Sequence, residues 1–225
     1  MKKKVILIFG LIMLLIVTSS LGFSNEYIIF YQPSNHSFAS ETQDNKKIYK
    51  MIEKDGINNI YIEIASNNTK YNSLDIKEDE LNDFTDTIKE QVEKEYNTNV
   101  VILKDIVSTV GTKFYRCIIY EYKLEEYGIY QKMYMILSDN YIYGITLTAN
   151  SEKYFTNKEI EKFLNSIELK DSITEHKDIS NLSITQNNRI NKVASFAICG
   201  IILMIIYAII GIFQRNKIVN KDNNK

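Results

Sequence analysis

Residues 113–149 read KFYRCIIYEYKLEEYGIYQKMYMILSDNYIYGITLTA and contain the clearest strand pattern in the chain. This stretch contains three runs rich in Ile and Tyr, at 113–122, 130–137 and 141–149, and such runs are typical of β-strands. The connections are short, and Asp139 with Asn140 has the composition of a hairpin turn. We therefore predict that the three strands form an antiparallel meander.

Four similar runs lie on the N-terminal side of this stretch. A turn at Asp55 and Gly56 separates two of them, which favours a second hairpin. Their composition and their bounding Asn, Asp and Gly residues predict strands at 26–31, 48–53, 59–65 and 100–104.

Two helices are predicted from apolar residues that recur every three or four positions. The first follows Glu78, Asp79 and Glu80, whose charges suit a helix N-terminus, and extends for about 18 residues. Thr156 with Glu159 has the spacing of a capping box and starts the second. The faces expected to be buried are Leu81, Phe84, Ile88, Val92 and Tyr96 in the first helix and Ile160, Phe163, Leu164 and Ile167 in the second.

These elements predict one domain of the α+β class at residues 24–170. We expect an antiparallel sheet covered by helices, with both helices on one face. Over residues 26–169, the order of elements resembles the PsbP-like α/β/α sandwich family. The residues that carry the resemblance are Lys113-Phe114-Tyr115, YGITLTA at 143–149 and FLNSIEL at 163–169. The resemblance implies a non-enzymatic accessory or binding domain. The chain departs from the family's lipid-anchored members because it has a predicted C-terminal transmembrane helix.

Charge and hydropathy are distributed along the chain in a pattern typical of a membrane protein. Residues 24–190 contain 19 Lys and Arg against 27 Asp and Glu, whereas both chain ends are basic. Residues 1–23 combine Lys2, Lys3 and Lys4 with an apolar run and then small and polar residues, which is the order of a signal peptide. Cleavage after Gly22 and retention as an N-terminal anchor both remain open.

The second apolar run, 193–213, has 21 residues without a charge, enough to span a bilayer as one helix. The basic tail 214–225 follows it, and a juxtamembrane stalk is expected at 171–192. By the positive-inside rule, the tail is cytoplasmic and the domain lies outside. The predicted location is therefore the plasma membrane, in a single pass, with the domain facing the envelope of a bacterial cell.

Groups suited to catalysis are few in the exported region. His36 is expected in a polar loop, His176 in the stalk and Cys117 as a buried strand residue, while Cys199 lies in the membrane run. The acidic clusters are expected to be solvated helix faces, with a weak surface Ca²⁺ site as the alternative. No glycine-rich phosphate loop is present, and a net charge of -1 disfavours nucleic acid as a partner. The sequence predicts no catalytic site, cofactor or metal.

Tyrosine is the most unusual component, with sixteen copies, many of them on the three strands of the meander. An exposed tyrosine offers a large ring and a polar hydroxyl, which suits binding of a glycan, a peptide or a protein. The binding residues predicted on this basis are Tyr120, Tyr122, Tyr130 and Tyr134, and the expected partner is an envelope or membrane protein. The alternative for these residues is that they are ordinary strand residues with no binding role. The alternatives for the function of the protein are an exported hydrolase or a regulatory subunit of a membrane complex.

Overall fold

The computed structural model describes residues 22–43, 46–54, 56, 58–68, 71–77, 81–96 and 99–174. These ranges contain ten β-strands, two α-helices and short 3₁₀ turns. In chain order the strands and α-helices are β1 (Gly22–Ser24), β2 (Ile28–Tyr31), β3 (His36–Gln43), β4 (Lys46–Glu53), β5 (Asn59–Ser66), α1 (Leu81–Tyr96), β6 (Val100–Val110), β7 (Tyr115–Leu124), β8 (Ile129–Leu137), β9 (Tyr141–Ala149), α2 (Lys158–Ser166) and β10 (Glu168–Leu169).

Seven strands form one antiparallel sheet in the order β3-β4-β5-β9-β8-β7-β6. The predicted meander is confirmed as β7-β8-β9, in which Tyr134 pairs with Ile119 on one side and Ile145 on the other. The predicted hairpin between β8 and β9 is also present, and the Ser138 amide donates to the Tyr141 carbonyl at 2.8 Å. The sheet therefore consists of two meanders that are joined where β5 pairs with β9.

Burial along each strand follows its position in the sheet. In the central strand β9, every residue from Ile142 to Ala149 is buried, so the strand appears in the sequence as a nearly continuous apolar run. In the edge strand β3, the last five residues are all exposed and most of them are polar. No apolar alternation marks β3 in the sequence, which is why the pattern does not predict it.

One face of the large sheet, called the α1 face here, is covered by α1. Ile88 and Val92 of this helix are buried in one cluster with Ile118 of β7. The hydroxyl of Thr85 also lies 3.0 Å from a carboxylate oxygen of Asp105, which joins the helix to the edge strand β6. The side chains of Phe84 and Tyr96, predicted on the buried stripe, lie outside the described part of the chain.

The opposite face, called the α2 face here, is covered by α2 and by a second antiparallel sheet, β1-β2-β10. Phe30 of β2 lies edge-on to Phe163 of α2, with ring centroids 5.6 Å apart, and stacks on Phe23 of β1 at 4.9 Å. The predicted stripe of α2 is confirmed, because all four of its members are buried: Ile160, Phe163, Leu164 and Ile167.

The N-terminus of α2 differs from the prediction by one residue. Asn157 is the N-cap, and its side-chain oxygen accepts a hydrogen bond from the Glu159 amide at 2.9 Å. Thr156 instead ends a 3₁₀ turn, where its hydroxyl donates to the Lys153 carbonyl at 3.3 Å. Asn and Thr are both good N-caps, so spacing alone does not separate them.

The predicted fold class, an α+β sheet covered by helices, is wrong. The described residues form mostly antiparallel β-sheet with only two α-helices, and these helices lie on opposite faces rather than on one. Much of the cover on the α2 face comes from the short strands β1, β2 and β10.

Within the described ranges, neither α-helix is long and apolar enough to cross a bilayer. The predicted transmembrane helix at 193–213, the cytoplasmic tail, residues 1–21 of the predicted signal peptide and all but the first four residues of the predicted stalk lie outside those ranges.

Candidate binding site

The turn between β6 and β7, residues 111–114, projects an aromatic side chain into solvent. Phe114 is 77% exposed and has φ +53°, a left-handed conformation that is unfavourable for a bulky L-residue. Gly111 makes the turn possible with φ +82°, and a Cβ atom there would overlap the Ile167 carbonyl oxygen. The Thr112 amide donates to the same carbonyl at 2.8 Å, so the end of α2 fixes the turn.

A surface pocket of about 350 Å³ lies beside this turn. Its walls are the turn and the start of β7, the segment that follows β10, and Leu74 from the 3₁₀ turn after β5. Leu74 is 41% exposed and Phe114 is more exposed still, so the pocket has apolar groups at its surface. The lining residues are Leu74, 113–116 and 171–173.

Two aspartates hold the segment after β10 against the β8–β9 hairpin. Asp171 accepts hydrogen bonds from the Ser138 hydroxyl and from both the backbone and side-chain nitrogens of Asn140. Asp139 accepts from the Thr174 amide at 3.1 Å and the Thr174 hydroxyl at 2.8 Å. Burial raises the pKa of each carboxyl, but these hydrogen bonds outweigh it, so both pKa values are lowered. The wall of the pocket is therefore pre-formed, and residues 171–174 of the predicted stalk lie against the β8–β9 hairpin.

Two cationic side chains lie on the other wall. The Arg116 guanidinium donates to the Ile76 carbonyl at 2.8 Å, and within the described ranges no carboxylate lies within 4.0 Å of it. Lys113 lies 3.2 Å from a carboxylate oxygen of Glu168, and a hydrogen bond to this carboxylate raises the pKa of the lysine. Arg116 therefore retains hydrogen-bond donors for a further group.

The predicted tyrosine site is not assembled in the structure. Tyr120 and Tyr122 point to the α1 face, whereas Tyr130 and Tyr134 point to the α2 face. Tyr120, Tyr122 and Tyr134 are buried and Tyr130 is half-buried. The prediction assumes an uncovered sheet face, but each face of these strands packs against a covering layer. The four hydroxyls therefore do not form one binding surface.

His36 is the first residue of β3 and is buried, rather than lying in a polar loop as predicted. Its Nε2 atom lies 2.7 Å from the Tyr154 hydroxyl oxygen. Burial lowers the pKa of His36, although the carboxylates of Glu53 and Glu159 oppose the shift. The imidazole is thus enclosed in the protein and is not positioned to act on a substrate.

Cys117 is fully buried, as predicted, and burial raises the pKa of its thiol to about 12. A thiol with such a pKa is unreactive at neutral pH. Among the described residues, no group of three or more His, Cys, Asp and Glu side chains is arranged to hold a metal ion. Glu78, Asp79, Glu80 and His176 lie outside these ranges.

Comparisons with known proteins give little beyond a distant structural likeness. No protein-family model matches the chain, and no curated protein matches it. A crystal structure from Bacteroides thetaiotaomicron VPI-5482 matches with 15% sequence identity and a TM-score of 0.37. The match covers 67% of this chain and 48% of that one, so this chain spans about half the length of its structural neighbour. The PsbP-like resemblance stays a prediction.

Sequence reasoning missed the pocket beside Phe114. The apolar pattern places Lys113, Phe114 and Tyr115 at the start of a strand, and the polar composition after residue 170 places Asp171 at the start of the stalk. One signal was available: Gly111 directly follows a β-branched run, and a glycine there often allows a left-handed turn.

Proposed function

We propose that this chain is a single-pass plasma-membrane protein whose extracytoplasmic domain binds a partner at the cell envelope and catalyses no reaction. The topology rests on the basic residues that flank the apolar runs at 5–17 and 193–213 on the same side. The tail 214–225 is then cytoplasmic, and the domain acts as a binding or accessory module for an envelope or membrane protein.

One observation supports the binding role above the others: Phe114 is displayed in solvent in an unfavourable backbone conformation. Strained residues persist only where the surrounding structure holds them, and they are concentrated at functional sites. The domain holds this turn through Gly111 and Ile167, at the edge of a pre-formed pocket. An exposed aromatic ring beside a pocket is a typical anchor for a protein partner.

The hydrolase alternative has no supporting observation in the described part of the chain. His36 is buried against Tyr154, and the Cys117 thiol is inaccessible. A regulatory subunit of a membrane complex is the second alternative, and it would use the predicted transmembrane helix and basic tail as its docking surface.

Topology is tested by adding protease to intact cells that express the chain with an epitope tag after Lys225. We expect the domain to be degraded and the tag to be retained. Loss of the tag from cells with intact membranes would contradict the proposed topology.

The binding role is tested by photo-crosslinking in intact cells. A photoreactive amino acid at position 114 should capture a specific envelope or membrane protein, whereas the same group at position 103 should not. Leu103 is a suitable control because it is also exposed, at 43%, but lies on β6 away from the pocket. Identical products from the two positions, or no product at 114, would contradict the proposal.

A further inference from the structure

We infer that the pocket beside Phe114 binds a carboxylate attached to an apolar group, as in an apolar residue of a polypeptide that carries or adjoins a free carboxylate. This inference rests on the proposed binding function and specifies the chemical class of the partner at that site.

Arg116 is the group in the pocket lining that suits an anion. Arg116 carries five N–H donors. One hydrogen bond from them to a protein acceptor is seen, and the acceptor is the Ile76 carbonyl. Planar guanidinium groups bind carboxylates with two parallel hydrogen bonds, and such charge-assisted bonds are stronger than neutral ones. Lys113 on the same wall is already paired with Glu168, so the inference rests on Arg116.

The carboxylates near the pocket already have partners. Asp171 accepts hydrogen bonds from Ser138 and Asn140, and Glu168 lies next to Lys113. Neither carboxylate lies within 4.0 Å of Arg116. Among the described residues, no protein carboxylate has to be displaced from the guanidinium by an incoming one.

The apolar part of the ligand is limited in size. Leu74, Phe114 and Ile173 supply the apolar lining, and a volume of about 350 Å³ is at the small end of the range for ligand pockets. Such a volume suits a single side chain rather than a long acyl chain or a folded domain. A peptide residue meets both requirements, because its side chain fills the pocket while a nearby carboxylate pairs with Arg116.

The experiment uses the purified full-length protein in mild detergent and exploits its lack of tryptophan. The probe is acetyl-Ala-Ala-Trp with a free carboxylate, and its own fluorescence reports binding. The matched control is the same peptide with a C-terminal amide. A third peptide, acetyl-Ala-Asp-Trp-amide, distinguishes a side-chain carboxylate from a chain terminus.

We expect at least one of the two carboxylate peptides to bind at least about tenfold more tightly than the uncharged amide, because charge-assisted hydrogen bonds are stronger than neutral ones. Which of the two binds identifies the source of the carboxylate. In Arg116→Gln this preference should disappear, whereas Lys104→Gln on β6 should leave it unchanged. The preference should also weaken as salt concentration rises.

Equal binding of all three peptides, or no binding of any, would overturn the inference. So would an unchanged preference in Arg116→Gln. The proposed function has a separate readout, because crosslinking from position 114 does not depend on carboxylate recognition. Specific crosslinks together with no peptide preference would reject the ligand class alone.

Discussion

The two faces of the large sheet are closed by different chemistry. On the α2 face, rings such as those of Phe30 and Phe163 pack edge to face, and tyrosine hydroxyls such as that of Tyr115 bond to the backbone. On the α1 face polar side chains are buried among the apolar ones: the Tyr122 hydroxyl donates to Gln131, and the Gln131 amide donates to the Thr148 hydroxyl at 3.0 Å. Apolar burial scales with area and tolerates many arrangements, whereas each buried polar group needs one specific partner. Both faces bury apolar area, and the Tyr122–Gln131–Thr148 chain adds specific side-chain pairing on the α1 face.

The largest effect is expected from Phe163→Ala on the α2 face. Phe163 is fully buried, so the truncation should lower the free energy of unfolding by about 3–5 kcal/mol. Phe114→Ala removes the same atoms from an exposed site and should change it by less than about 0.5 kcal/mol. Denaturant unfolding of the full-length protein in mild detergent, followed by circular dichroism, measures both. Equal losses in the two variants would show that α2 does not pack as described.

The second prediction concerns the contact between the β6–β7 turn and the end of α2. Gly111→Ala should cost about 2–4 kcal/mol, because the new Cβ combines left-handed strain with a clash at the Ile167 carbonyl. Gly56 has a similar φ of +83°, but a Cβ added there would meet no atom within 4 Å, so Gly56→Ala should cost only the strain, about 1–2 kcal/mol. The same denaturant unfolding curves measure both costs. A Gly56 variant as unstable as the Gly111 variant would show that the clash is absent.

The polar network of the α1 face gives the third prediction. Gln131→Met has a similar size but removes the acceptor of Tyr122 and the donor to Thr148, which should cost about 1–3 kcal/mol. Gln43→Met on the exposed end of β3 is the control and should be neutral within about 0.5 kcal/mol. Combining Gln131→Met with Tyr122→Phe should cost less than the two single changes added together. Strict additivity would indicate that the two side chains are not coupled.

A smaller effect is expected from protonation of His36 at the margin of the α2 face. Burial lowers the pKa of His36 in the folded state below its ordinary value of 6.5, so the unfolded state binds the proton more readily. The stability that the neutral imidazole contributes is present above pH 6.5 and is lost as the pH falls through the folded-state pKa. Unfolding measured from about pH 8 to about pH 5 should show this loss, and it should be reduced in His36→Gln. Identical pH profiles for parent and variant would contradict the assignment.

Glu63 on the α1 face should respond to acid in the opposite direction. Burial raises the pKa of Glu63 above its ordinary value of 4.5, although Lys46 at 2.7 Å partly offsets the shift. The folded state then binds the proton more readily, so the contribution of Glu63 to stability increases as the pH falls through the folded-state pKa towards 4.5. Glu63→Gln should remove this increase. Unfolding curves from about pH 4 to about pH 8 give the free energy of unfolding of parent and variant at each pH. The difference between the two profiles isolates this effect, the smallest of those expected.

Six of the seven strands of the large sheet could be predicted because burial on one or both faces leaves a pattern in the sequence; the exposed edge strand β3 is the exception. The observed β9 has the predicted bounds, and β7 and β8 differ by two residues or fewer at each end. The covering layers could not be predicted in the same way. β1 and β10 have three and two residues, too few for a periodic pattern, and their pairing with β2 joins parts of the chain that are far apart in sequence.

The candidate site could not be recognised from the sequence, for a related reason. Phe114 belongs to an apolar run, and only the contact of its turn with Ile167, more than fifty residues later, places its ring in solvent. Conversely, Tyr120 and Tyr134 are predicted to be accessible because the sequence does not reveal the layer over each face. Strand alternation gives the side on which a residue lies but does not show whether that side is covered.

The small sheet also determines how the domain would respond to mechanical load. β1 and β10 flank β2, with Gly22 opposite Tyr31 at one end of β2 and Leu169 opposite Ile28 at the other. Tension applied at residues 22 and 174 would first pull on the hydrogen bonds of Asp139 and Asp171, which can open one after another. It would then act along the axis of β2 in shear, a geometry in which several hydrogen bonds must break together. The load would reach the seven-stranded sheet only after the small sheet. In a chain held at both ends, the hydrogen bonds of β1-β2-β10 would therefore break before the large sheet opened.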